Sequence, residues 1–187
     1  MSKIYLSWSF RSSVEKFNLI IQNSEDQLEI IEYNIVCVIL TISFVESYIN
    51  EIINSANDWD SIKFNSEFIS NLNEREKSLS IVDKYNNIAI KLGMPEWTLD
   101  TEPYTSLKII TDLRNDIIHY KGSFIDTNKS VSKSTTHLMK ILKISRLKNS
   151  HWINDLFASK KLSQLCFKTL KEIDLLFTNL VTNFNKH

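Results

Sequence analysis

Leu28, Ile31, Ile35, Val38, Ile42, Val45, Ile49 and Ile52 follow one another in alternating steps of three and four residues. Only a continuous α-helix puts such a heptad stripe on one side of the chain. Ser24-Glu25-Asp26-Gln27 precedes it as a start signal, with Ser24 as the cap, acid in the first turn and Gln27 at the capping-box position. The spacing predicts one long helix ending near Asn57, serving as the core helix of a bundle or as a dimer seam. Beside the stripe, Ile39, Glu46 and Ile53 recur every seven residues, so Glu46 occupies a row otherwise filled by isoleucine. A carboxylate there is costly unless paired, and a cation on another helix is expected to meet it.

The rest of the chain is compatible with an all-α fold. Its 187 residues include only two glycines and two prolines, too few for the tight turns of a sheet protein. The length suits a single domain that buries roughly two thirds of its unfolded surface. Residues 1–23 read as an N-terminal extension with a short helix over 10–22. A loop is expected over 58–66, then helix from Glu67 to Leu92, stopped by Gly93. Glu102-Pro103 opens the next helix, which Lys121 and Gly122 close. Residues 123–135 form a polar, mobile loop. Helices are expected over Thr136 to Lys148, around Trp152 to Phe157 after a turn at Asn149-Ser150, and over Lys160 to Asn185.

Cys37 and Cys166 lie in apolar helical patterns without a metal-ligand partner, which suits two reduced, buried thiols in a cytoplasmic protein. The N-terminus lacks the apolar region and cleavage site of a signal peptide. The most apolar run, Ile35 to Val45, is too short to span a bilayer, so no membrane is expected. Net charge is zero, yet residues 1–103 hold 8 Lys plus Arg against 16 Asp plus Glu, and residues 104–187 hold 14 against 6. The −8 and +8 halves either attract each other or mark the basic part for nucleic acid.

Chemistry concentrates in Leu113-Arg114-Asn115-Asp116-Ile117-Ile118-His119-Tyr120-Lys121-Gly122. An imidazole near neutral pKa can take the proton from an RNA 2′-hydroxyl or give one to the leaving 5′-oxygen. A guanidinium can hold the non-bridging phosphate oxygens as charge builds on phosphorus. RNA brings its own nucleophile, so Arg114 and His119 suffice without a metal. On a straight helix the two point ~140° apart and sit ~7.5 Å apart along the axis. Both can reach one phosphodiester only if the helix end unwinds or a second copy faces the first. Asn115 shares the His119 face and can orient the imidazole or bond phosphate, and Glu46 can hold Arg114 or tune His119. Lys121, Lys140 and Lys143 are the cations placed to bind RNA. His119, His137, His151 and His187 show no paired-ligand spacing and the acids form no two-metal cluster, so no metal or cofactor is expected.

The run from Leu113 to His119, an arginine followed by a polar residue and then a histidine near a helix end, resembles the signature of the HEPN superfamily. The long helix containing Phe44-Val45-Glu46-Ser47-Tyr48-Ile49-Asn50-Glu51 is similar to that superfamily's early core helix, which often carries an acidic residue facing the motif. The resemblance implies an all-α, HEPN-like bundle forming a homodimer through the Arg114/His119 helix. It implies a metal-independent endoribonuclease that leaves 2′,3′-cyclic phosphate and 5′-hydroxyl ends. It further implies service as a toxin or anti-phage effector, with a cognate antitoxin or regulator as partner. Carried over, Arg114 and His119 are catalytic, with Asn115 supporting. One subgroup has a modified tyrosine two places after the histidine; here Lys121 occupies that place, and that regulation is not expected. The alternative is a non-catalytic RNA-binding or dimerisation adaptor, in which Arg114, His119 and Glu46 form a buried polar network.

Overall fold

A 30-residue helix forms the axis on which the other helices pack. The computed structural model describes residues 6–56, 79–118, 132–145 and 151–184, and every regular element among them is helical. In chain order these are α1 (Leu6–Asn23), α2 (Gln27–Ala56), α3 (Ile81–Leu92), α4 (Tyr104–Ile118), α5 (Lys133–Ile141), α6 (Trp152–Phe157) and α7 (Lys160–Phe184). Helix α2 packs on α1, α3, α4, α6 and α7, while α5 docks on α4. The all-α expectation is met among these residues. The expected loop over 58–66 and the turn at Asn149-Ser150 lie outside them, as do residues 67–78 of the helix expected over Glu67 to Leu92 and residues 123–131 of the loop expected over 123–135. The described parts correct both expectations: Leu79 and Ser80 are not helical and Ser80 caps a helix that starts only at Ile81, while α5 already begins at Lys133.

The long helix begins and ends close to its predicted bounds, but its start is built differently. Asp26, rather than Ser24, is the cap: its Oδ1 accepts from the Leu28 N–H at 2.9 Å. Ser24 Oγ instead accepts from the Asp26 N–H at 3.1 Å and donates to the Glu29 carboxylate. The buried face also departs from the heptad stripe. Leu28 is 71% exposed, whereas Ile30, Asn34, Cys37, Thr41 and Phe44 are buried beside Val38, Ile42, Val45, Ile49 and Ile52. A straight helix drifts ~20° per heptad against a seven-residue repeat, so one row cannot stay inward along four turns or more. The row of Ile39, Glu46 and Ile53 therefore runs along the edge of the core: Ile53 is buried, Ile39 half-buried and Glu46 exposed. Helix α2 also carries a longer apolar stretch than Ile35 to Val45, since Gln27–Ser55 is apolar and long enough to cross a membrane by length and composition alone. Much of that apolar surface is the bundle core.

Helix α1 starts at Leu6, earlier than predicted, and belongs to the core. Val14 and Ile21 are fully buried, with Phe10 and Phe17 packed beside them. Its period is hidden in sequence because Ser7 and Asn18 occupy buried positions while Leu6, Trp8 and Leu19 face outward.

Two polar devices fix the connections. Asn34, wholly buried, donates to the carbonyls of Phe157 at 2.6 Å and Ser159 at 3.1 Å, closing the end of α6 against α2. Asn86 grips the loop after α3, accepting from Trp97 N–H at 2.7 Å and donating to its carbonyl at 3.1 Å. That seats the Trp97 indole edge-on against Tyr85, Phe177 and Tyr104. Helix α3 has a capping box between Ser80 and Asp83 and ends at Gly93, whose φ of 68° is a left-handed conformation that glycine adopts without strain.

Candidate functional site

Helix α4 carries the sequence motif, and its register is set by Leu107, Ile110 and Leu113, all buried against the core. Its first turn is anchored by Glu102, whose carboxylate accepts from the Ser106 N–H at 3.3 Å. Burial pushes the Glu102 carboxyl up, but hydrogen bonds from Thr105 and Ser106, with Lys168 nearby, outweigh it and hold the pKa below the usual range. With Leu113 inward, helix geometry sends Arg114 and Asp116 to opposite flanks of the buried face. Both are half-buried.

On one flank, Arg114 Nη1 donates to Asn115 Oδ1 at 3.1 Å. The amide therefore orients the guanidinium. Among the described residues Arg114 forms no ion pair with a carboxylate.

On the other flank lies a cluster that the sequence reading left without a role. Asp116 Oδ2 accepts from Ser132 Oγ at 2.7 Å and from Thr135 Oγ1 at 2.9 Å. Ser132 is also the cap of α5, its Oγ accepting from the Thr135 N–H at 3.1 Å. A carboxylate at a helix N-terminus is favoured by the helix dipole, so Asp116 holds the start of α5 against the end of α4. The sequence signal was Ser132 three residues before Thr135, a capping pattern obscured by the surrounding Ser/Thr-rich stretch. Helix α5 consequently starts at Lys133, three residues earlier than predicted, and ends at Ile141, well short of Lys148. There the chain turns through Lys143 with φ of 52°, a left-handed cap in which the Ile144 N–H reaches the Met139 carbonyl at 2.9 Å.

The remaining expected site residues divide. Lys140 and Lys143 are exposed, beside the end of α5. The Lys161 ammonium donates to the Leu142 carbonyl at 2.8 Å and pins that turn to α7. Glu46 is not the buried carboxylate that its row suggested: it is exposed at the edge of the core, and among the described residues it forms no ion pair. His119 and Lys121 lie outside the described residues, and so does Gly122. Among the described residues, Lys160 pairs with Glu25 at 3.3 Å across the two halves, while Arg11 pairs with Asp174 at 3.1 Å in the reverse sense.

Comparison of the chain with protein-family models, with curated proteins and with solved structures finds no match.

Proposed function

We propose that this chain is a HEPN-like, metal-independent endoribonuclease that works as a homodimer in the cytoplasm. Arg114 holds the scissile phosphate and His119 moves the proton between the 2′-hydroxyl and the leaving 5′-oxygen. The products are a 2′,3′-cyclic phosphate and a 5′-hydroxyl. The observation that carries this reading is the state of Arg114: half-buried, oriented by the Asn115 amide at 3.1 Å, and unpaired with any carboxylate among the described residues. A guanidinium held in that way is arranged for bidentate contact with phosphate oxygens.

Lys140 and Lys143, exposed near the end of α5, add positive charge for an RNA backbone. A role as a toxin or anti-phage effector, with a cognate antitoxin or regulator, belongs to the same reading. Incubating purified protein with mixed RNA in EDTA and analysing the new termini tests it. Fragments with cyclic phosphate ends support the proposal, and intact RNA opposes it.

A further inference from the structure

A cleft of about 560 Å3 opens between α1, α2 and α7, away from the Arg114 motif. We propose that it binds a small organic cation, an ammonium or guanidinium group carried on an apolar body. This is independent of the ribonuclease reading.

Two aromatic rings line the cleft. Tyr48 of α2 is half-buried and backed by the buried Phe44, their ring centroids 5.5 Å apart, and Trp8 of α1 stands 66% exposed at the edge. Its indole face is therefore open to a ligand entering the cleft. The charged groups in the cleft are two carboxylates and one guanidinium. Glu51 is held rigidly, one oxygen accepting from the Ser7 N–H at 3.0 Å and the other from the Ser7 hydroxyl. Hydrogen bonds from a serine fix a carboxylate without neutralising it. Arg11 is committed to Asp174 at 3.1 Å, which among the described residues leaves Glu51 as the excess charge.

The cleft therefore offers one fixed anion beside aromatic faces, the combination that attracts desolvated organic cations. It already contains one such contact, since the Arg11 guanidinium lies 5.4 Å from the Trp8 ring centroid. The Tyr48 hydroxyl senses the same field. Burial raises its pKa, the Thr178 hydrogen bond lowers it, Asp174 and Glu51 raise it further, and Arg11 lowers it. An anionic ligand would face two carboxylates, and a neutral one would leave Glu51 uncompensated.

Calorimetric titration of the purified full chain with phenethylamine, 2-phenylethanol and 3-phenylpropanoate tests the proposal, the three probes sharing one apolar body. Saturable binding of the amine is expected, with the alcohol about tenfold weaker and the carboxylate weaker still. Glu51→Gln should erase the preference for the amine, bringing its affinity down to that of the alcohol. Thr178→Trp, at an exposed position of α7 that lines the cleft, should block both without touching the core. If Glu51→Gln fails to fold, Trp8→Ala replaces it and should weaken the amine and the alcohol together. The proposal is overturned if the amine does not bind saturably, if the carboxylate binds as well as the amine, or if Thr178→Trp leaves amine binding intact.

Discussion

The Asp116 carboxylate accepts a hydrogen bond from Ser132 across sixteen positions of chain, and through it the end of the motif helix is joined to the cap of the next. Asp116 is half-buried, and Thr135, which shares its Oδ2, is almost fully buried. Replacing Asp116 by Ala leaves two hydroxyls without their acceptor, which should cost about 1–3 kcal/mol. Urea unfolding measures it. Glu46→Ala, at an exposed position, should stay within about 0.5 kcal/mol of the parent. Equal effects from the two substitutions would mean that the Asp116 cluster contributes nothing to the fold.

Asn34 is the second polar residue on which the bundle depends. Asn34→Ala strips the donors from two carbonyls at the end of α6, and about 1–3 kcal/mol of destabilisation is expected for each carbonyl left buried and unpaired. Asn34→Asp should be at least as harmful, because a carboxylate offers those carbonyls no donor and its charge would be buried. A lowered urea midpoint in both variants, with helical circular dichroism kept in dilute buffer, is the expected result.

The thiols predict a loss of stability in alkali. Burial pushes the Cys37 thiol up to about 12. Cys166 is also raised, by burial first and then by Cys37 beside it. A thiol whose folded pKa lies above its unfolded value of about 8.5 keeps its full contribution below that pH and loses it as pH rises toward the folded value. Stability should therefore be level near neutrality and fall above about pH 9. Cys37→Ala should flatten part of that slope when urea midpoints are compared across pH. Both cysteines are free and buried, so neither should react with a thiol reagent until the protein is unfolded.

Much of this architecture was legible in the chain because it follows from periodicity and punctuation. Gly93 stops α3 in a left-handed conformation as expected, and α2 and α7 lie within a few residues of their predicted bounds. What failed were readings that treated polarity as exposure or a repeat as a fixed face. Ser7, Asn18 and Thr41 are buried polar residues, and the first two hid the period of α1. Glu46 shares its row with a half-buried Ile39 and a buried Ile53, but the row lies at the edge of the core, where a carboxylate reaches solvent. Within the motif, the sequence pointed to Arg114 and Asn115 but not to their mutual hydrogen bond, and Asp116 had no assigned role. Its partners lie sixteen and nineteen residues away, a distance at which local spacing carries no signal.

Arg114→Ala should be nearly neutral for folding. The side chain is half-buried and its hydrogen bond goes to the adjacent Asn115, so a loss near 1 kcal/mol or less is expected. Arg114→Lys keeps the charge but not the planar fork, and should retain only a small part of any phosphate-dependent activity. Unfolding curves that match the parent, combined with lost activity, would separate a chemical role from a structural one.

The most direct measurement is cleavage of a labelled RNA in EDTA by the parent, Arg114→Ala and His119→Ala proteins, with the new 3′ ends assayed for cyclic phosphate. The account predicts cyclic phosphate ends from the parent, and loss of cleavage in both variants while dimer and helical signal persist. Cleavage retained in both variants, or abolished in the parent by EDTA, would contradict it.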